Sequence, residues 1–128
     1  GHPLTIDDLK AGGLPNEDKL RNNRILMYAD WAASRWTGPD LYKGNMYLSE
    51  ETAHWLVGTG VVALAMDFSV DGHYPYPCHQ ILLAAGIPLI ENLINIDQIG
   101  SAEFTMIALP LKIEKGDGAP ARVLAITD

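Results

Sequence analysis

The fold turns on three consecutive runs: Val61-Val62-Ala63-Leu64-Ala65-Met66-Asp67, Pro77-Cys78-His79-Gln80-Ile81-Leu82-Leu83-Ala84-Ala85-Gly86 and Ile87-Pro88-Leu89-Ile90-Glu91. The first is continuously apolar, the signature of a strand covered on both faces. In the second, proline suits a first helical turn, Ile81, Leu82 and Leu83 follow, and Gly86 is fitted to end a helix. The third is again short and apolar. Strand, helix and strand in that order predict a right-handed crossover joining adjacent parallel strands of one sheet. Asp67 then leaves the carboxyl end of the first strand, and Glu91 sits just past the second.

Working outward towards the N-terminus, residues 24–29 read as another buried strand, ending at Asp30-Trp31. Residues 1–23 are polar and rich in turn formers, predicting loop plus one short helix that Thr5 caps. Trp36, Gly38, Pro39 and Gly44 make residues 32–47 an aromatic-rich loop. Ser49-Glu50-Glu51 supplies a capping hydroxyl and two first-turn acids, so a helix starts there and stops at Gly58 or Gly60. Towards the C-terminus, residues 104–109 read as a strand whose pairing Pro110 ends. A turn at Lys115-Gly116-Asp117-Gly118 then precedes a strand over 122–126. No repeat or composition shift divides the chain, which predicts a single α/β domain over residues 1–128.

Composition narrows the function. With 48% hydrophobic and 20% charged residues, the chain is neither disordered nor a disulfide scaffold. Its net charge of -7, without a Lys/Arg cluster, argues against a nucleic-acid partner. No apolar run approaches the roughly 20 residues that span a bilayer, so no membrane partner is expected. A lone cysteine, Cys78, needs no oxidising compartment, and a cytoplasmic location is the expectation. Gly1 and His2 look like a cloning scar, which would place the natural start upstream.

Several local chemistries are missing: there is no nucleophile elbow, P-loop or paired C-x-x-C. Gly58-Thr59-Gly60 precedes a strand rather than following one, so helix termination explains it. Cys78 and His79 are helical neighbours pointing about 100° apart, which makes Cys78 a small packing residue. His54 has no second ligand at helical spacing and reads as a surface or half-buried side chain. Asp67-Phe68-Ser69-Val70-Asp71-Gly72-His73 leaves the carboxyl end of a strand and fits a site rim as well as a solvated turn. His79 and Glu91 can converge across the crossover and suit Zn²⁺ or Mn²⁺. Chemistry alone favours unrelated surface residues; the motifs around them change that.

Asp67, Ser69 and Asp71, followed by His79, Leu82, Leu83, Gly86, Ile87, Glu91, Asn92 and Leu93, resemble D-x-x-S-x-D and H-x-x-L-L-x-x-G-I-x-x-x-E-N-L of the cyclase and kynurenine-formamidase family. Ala108-Leu109-Pro110-Leu111-Lys112-Ile113 and Asp117-Gly118-Ala119-Pro120-Ala121-Arg122 resemble that family's A-L-P-L-K-I and D-G-S-P-V-R. The resemblance covers the chain from about Ile25 to its end and corresponds to the family's C-terminal half. It implies a swivelling β/β/α fold, here incomplete, and a homo-oligomer, dimer or tetramer. It also implies hydrolysis of a small amide or lactam, aromatic in the best-known cases.

In that family the residues matching His79 and Glu91 help bind zinc or manganese. The other ligands and the general base come from an upstream H-x-G-T-H-x-D-x-P-x-H motif, which this sequence lacks. No catalytic residue is therefore assigned within the chain, and weak metal binding by the polypeptide alone is expected, because catalytic zinc keeps about three protein ligands plus water. Ser69 and Asp71, with Asp67 on the same rim, are candidates to orient His79. Trp31 and Trp36 are candidates to line an aromatic pocket, or else core or interface residues. The competing reading is a non-catalytic assembly or ligand-binding protein retaining the same fold.

Overall fold

The computed structural model describes residues 1–32 and 43–127, and Trp36 lies outside them. Two compact units result, Gly1–Ile94 and Asn95–Asp128. The first is built on a parallel sheet of β2 (Arg24–Met27), β4 (Ala63–Met66) and β5 (Leu89–Ile90), with β4 in the centre. Arg24 pairs with Ala63 and Met27 with Met66, while Leu64 and Ala65 pair with Leu89 and Ile90. The crossover expected from the deciding stretch is present: α4 (Pro77–Ala84) connects β4 to β5.

α3 (Glu50–Thr59) starts where the hydroxyl of Ser49 accepts the Thr52 N–H at 3.1 Å, and it stops at Gly60, whose φ of 79° suits a residue without Cβ. Ala53 and Leu56 of α3, Leu64 and Met66 of β4, and Leu82 of α4 are fully buried together with Phe68 and Val70. Burying leucine-sized side chains contributes about 1.5–3 kcal/mol each, so this α3–α4–β4 seam is the main source of stability.

Several local expectations change. Residues 1–23 hold two helices, not one: α1 (Ile6–Ala11), with a Thr5–Asp8 capping box, and the single turn α2 (Glu17–Leu20). α2 has no side-chain cap of its own; buried Leu20 and the bond from Trp55 Nε1 to Glu17 at 3.0 Å secure it, and both are tertiary. Within the expected loop over 32–47, Tyr47 is in a strand: β3 (Tyr47–Leu48) pairs in parallel with β1 (Pro3–Leu4). β2 ends at Met27 rather than at residue 29, because the Ala29 and Trp31 N–H groups turn to the carboxylate of Asp67.

The second unit contains a 3₁₀ turn (Ile96–Gln98) and an antiparallel pair, β6 (Thr105–Pro110) with β7 (Ala121–Ile126). The expected hairpin-like pairing is there. Pro110 remains in register opposite Ala121 as the last residue of β6. Leu109, Leu111, Ile113, Leu124 and Ile126 are all exposed, an apolar display that a two-stranded ribbon cannot cover by itself.

Candidate metal centre

β4 ends at Met66 and the chain continues, still buried, through Asp67, Phe68 and Val70 to Asp71. Five residues on, Tyr76 occupies the N-cap of α4 but caps nothing with its side chain. The cap comes from Asp71 instead. Its Oδ1 accepts the Cys78 N–H and its Oδ2 the His79 N–H, both at 2.9 Å. The same Oδ2 lies 2.7 Å from His79 Nδ1. One carboxylate thereby satisfies two orphan amides of the helix and fixes the imidazole on that helix.

Glu91 arrives from the other side of the crossover, one residue past β5. Its Oε1 accepts the Val70 N–H at 2.5 Å, and its Oε2 is 3.1 Å from His79 Nε2. Asp71, His79 and Glu91 form a line, carboxylate–imidazole–carboxylate. Its Asp71 end is sealed, with 2% of the side chain exposed, while His79 and Glu91 retain 31% and 20%. The accessible end is therefore the one that presents Nε2 and Oε2.

Electrostatics follow from this placement. Burial pushes the Asp71 carboxyl up, but hydrogen bonds from His79 and Cys78 outweigh it and hold the group below the usual carboxylate range. Burial favours neutral His79, yet Asp71 and Glu91 together raise its pKa above the ordinary histidine value. When the ring is protonated, each of its nitrogens can donate to a carboxylate, Nδ1 to Asp71 and Nε2 to Glu91. For a neutral ring the shorter approach, 2.7 Å to Asp71 against 3.1 Å to Glu91, favours the proton on Nδ1 and the lone pair on Nε2.

The fit to a metal can be judged on that gap. Two donors on one tetrahedral zinc, each at about 2.0–2.2 Å, lie roughly 3.3 Å apart. His79 Nε2 and Glu91 Oε2 are 3.1 Å apart, and the Nδ1–carboxylate bond behind the imidazole is the usual support of a ligating histidine. These two residues fit as neighbouring ligands. Among the described residues, no group of three or more His, Cys, Asp or Glu side chains could hold an ion. A third donor is not supplied by them.

The other residues singled out from the sequence take different places. Asp67, 1% exposed, holds the Ala29 and Trp31 N–H groups at 2.9 and 2.5 Å and thus the end of β2; it is not bonded to His79. Ser69 is held through its backbone: Asn45 Nδ2 donates to its carbonyl at 2.8 Å and Asn45 Oδ1 accepts its N–H at 3.2 Å. The Trp31 ring is partly buried against the core. Cys78 is buried, donates its thiol to the Leu48 carbonyl, and is pushed up to about 12 by burial and by Asp71. His54 is exposed. Sequence reading missed Asn45, whose only signal is an amide among turn-forming residues. It also missed Tyr76, whose ring meets His79 edge-on with centroids 6.2 Å apart. A cleft of about 190 Å³ adjoins Asp71, lined by Tyr47, Ser49, Glu50 and His73 among others. That is smaller than the roughly 300–1,000 Å³ of small-molecule pockets.

No family model matches the chain. It is 29% identical over 117 residues to a kynurenine formamidase of Bordetella petrii, covering 89% of this chain and 51% of that protein. It is 34% identical over 73 residues to an isatin hydrolase of Roseibium aggregatum, covering 56% and 28%. A solved structure described as a potential metal-dependent hydrolase with cyclase activity superposes with a TM-score of 0.74 at 23% identity, over 98% of this chain and 58% of that one. An isatin hydrolase bound to thioisatinate gives 0.73 at 23%, over 97% and 52%. The chain spans about half the length of the kynurenine formamidase it matches. Its fold is accordingly a portion of the swivelling β/β/α fold of the cyclase-type metal-dependent hydrolases, and in sequence it is similar to the kynurenine formamidases.

Proposed function

We propose that this chain is one portion of a single hydrolase domain that cleaves amide bonds with a metal ion, Zn²⁺ or Mn²⁺, for which His79 and Glu91 are two protein ligands. The observation that carries this is the 3.1 Å approach of His79 Nε2 to Glu91 Oε2, with Asp71 fixing the far ring nitrogen at 2.7 Å. When bound, the ion supplies an acidified water and a Lewis acid for carbonyl attack. The chain's own residues prepare its seat. Asp71 keeps the proton on Nδ1 so that Nε2 presents a lone pair, and the Val70 N–H ties one Glu91 oxygen so that the other faces the same point.

The substrate we assign is a small amide or lactam with an aromatic ring, on the strength of the kynurenine formamidase and isatin hydrolase relatives. The remaining ligands, the general base and most of the pocket come from other polypeptide, consistent with the two-donor site and the small cleft. The exposed Leu109, Leu124 and Ile126 of β6 and β7, with Leu111 and Ile113 of the segment between the two strands, support assembly into a homo-oligomer. No helix among the described residues is long and apolar enough to cross a membrane, and a cytoplasmic location belongs to the same reading. The two-donor site also suits a second reading, a non-catalytic protein that retains the fold for assembly or ligand binding.

Calorimetric titration of the metal-free chain with Zn²⁺ tests the ligand assignment. One weak site is expected, with affinity at least about 10-fold lower in His79→Ala and Glu91→Ala. Equal affinity in all three proteins overturns it. Hydrolysis of an aryl formamide and of a lactam by the natural gene product, lost on adding a chelator, separates the enzyme from the non-catalytic reading.

A further inference from the structure

Beyond β4 the backbone is held residue by residue. The Met66 carbonyl accepts the Leu93 N–H at 3.0 Å, the Phe68 carbonyl accepts that of Asn92, and the Val70 carbonyl accepts that of Leu48 at 2.9 Å. Among the described residues no strand lies opposite Ser69, and its N–H and carbonyl are both taken by the side chain of Asn45. That side chain belongs to a residue only 3% exposed, and its amide supplies the donor–acceptor pair that a neighbouring strand's backbone would offer. The residues that follow are the two that orient the site: the Val70 N–H holds Glu91 Oε1, and the Asp71 carboxylate holds His79 Nδ1.

We infer that Asn45 is a positioning residue for the His79–Glu91 pair, acting through the Ser69 backbone to set where Val70 and Asp71 stand. The inference rests on the metal-ligand reading for its functional consequence, but its structural content does not need a metal. Alanine at 45 leaves the Ser69 N–H and carbonyl unpaired and frees residues 69–71 to shift. Aspartate keeps the acceptor and sets a negative oxygen against the Ser69 carbonyl. Either change loosens both carboxylates at once, although neither alters a residue of the triad.

The test uses ¹⁵N NMR of the His79 imidazole in the metal-free chain at alkaline pH, where the ring is neutral, together with Zn²⁺ affinity. In the native protein the proton is expected on Nδ1. In Asn45→Ala it moves in part to Nε2, and Zn²⁺ binding weakens about 10-fold or more, as loss of supporting contacts does elsewhere. Leu20→Ala, a buried change in α2, controls for lost stability and should leave the imidazole signals unchanged. If Asn45→Ala does not fold, Asn45→Asp provides the same readout. A folded variant at position 45 with native imidazole signals overturns the inference, as does an equal change in Leu20→Ala. If the native chain binds no Zn²⁺, the ligand reading fails, while the imidazole signals still decide the role of Asn45.

Discussion

Replacing Asp71 by Asn tests the centre of the arrangement with no change of volume, so no cavity term enters. The carboxylate receives the Cys78 N–H, the His79 N–H and His79 Nδ1 at 2.9, 2.9 and 2.7 Å. The amide keeps one good acceptor and points an NH₂ at donors. Losing the helix cap costs about 0.5–2 kcal/mol, and losing the charge-assisted bond to the imidazole about 1.5–3 kcal/mol. Part of this is returned because a buried charge has gone, leaving an expected loss of roughly 1–4 kcal/mol. Urea unfolding followed by tryptophan fluorescence measures it. The pH dependence supplies a second signature. Asp71 has a lowered pKa, so its contribution is present above the ordinary carboxylate value and lost as pH falls through the folded one. His79 has a raised pKa, so its contribution is complete below about 6.5 and lost as pH rises through the folded value. The metal-free native protein should therefore gain most from this pair at about pH 4–6.5, and Asp71→Asn should flatten both limbs, leaving only the share owed to Glu91. A loss under about 0.5 kcal/mol, with both limbs unchanged, would refute the assignment of Asp71 as shared cap and imidazole anchor.

Three further outcomes are expected. The Cys78 thiol, 1% exposed and pushed up to about 12, should resist alkylation in the native chain under mildly alkaline conditions and react fully once unfolded; fast native labelling would contradict its burial. Asp67→Asn should cost about 1–3 kcal/mol, because one of the two backbone N–H groups at the end of β2 loses its acceptor. The His79 imidazole spectrum should stay native in that variant. Gly72→Ala should cost about 1–3 kcal/mol, since its Cβ would stand 2.5 Å from the Tyr47 ring. Combining it with Tyr47→Ala should be less damaging than the sum of the two, and additivity in a thermal melt would exclude that clash.

How much was legible divides along the range of the interactions. Periodicity and turn chemistry are local, so β4, α4 and β5, their crossover, and the helix starts at Thr5 and Ser49 could all be read from residues within a few positions of each other. The pairing of two-residue β1 with β3 could not, because such short runs carry no pattern and their register depends on contacts across more than forty positions. Pairing His79 with Glu91 came from motif order, since their residue types alone are compatible with any α/β surface.

The sequence by itself determined the parallel α/β core, the helix that carries His79 and the strand end that delivers Glu91, because burial of apolar runs and the handedness of a crossover leave little choice. Only the tertiary structure decided what the neighbouring carboxylates do. Asp67 and Asp71 look alike in sequence, four positions apart. One ties down β2 and the other caps α4 and anchors an imidazole, according to which N–H groups the packed backbone brings within 3 Å of each. The same holds for Asn45, a buried residue whose amide finds the half-buried Ser69 backbone 24 positions away, where no strand among the described residues pairs with it.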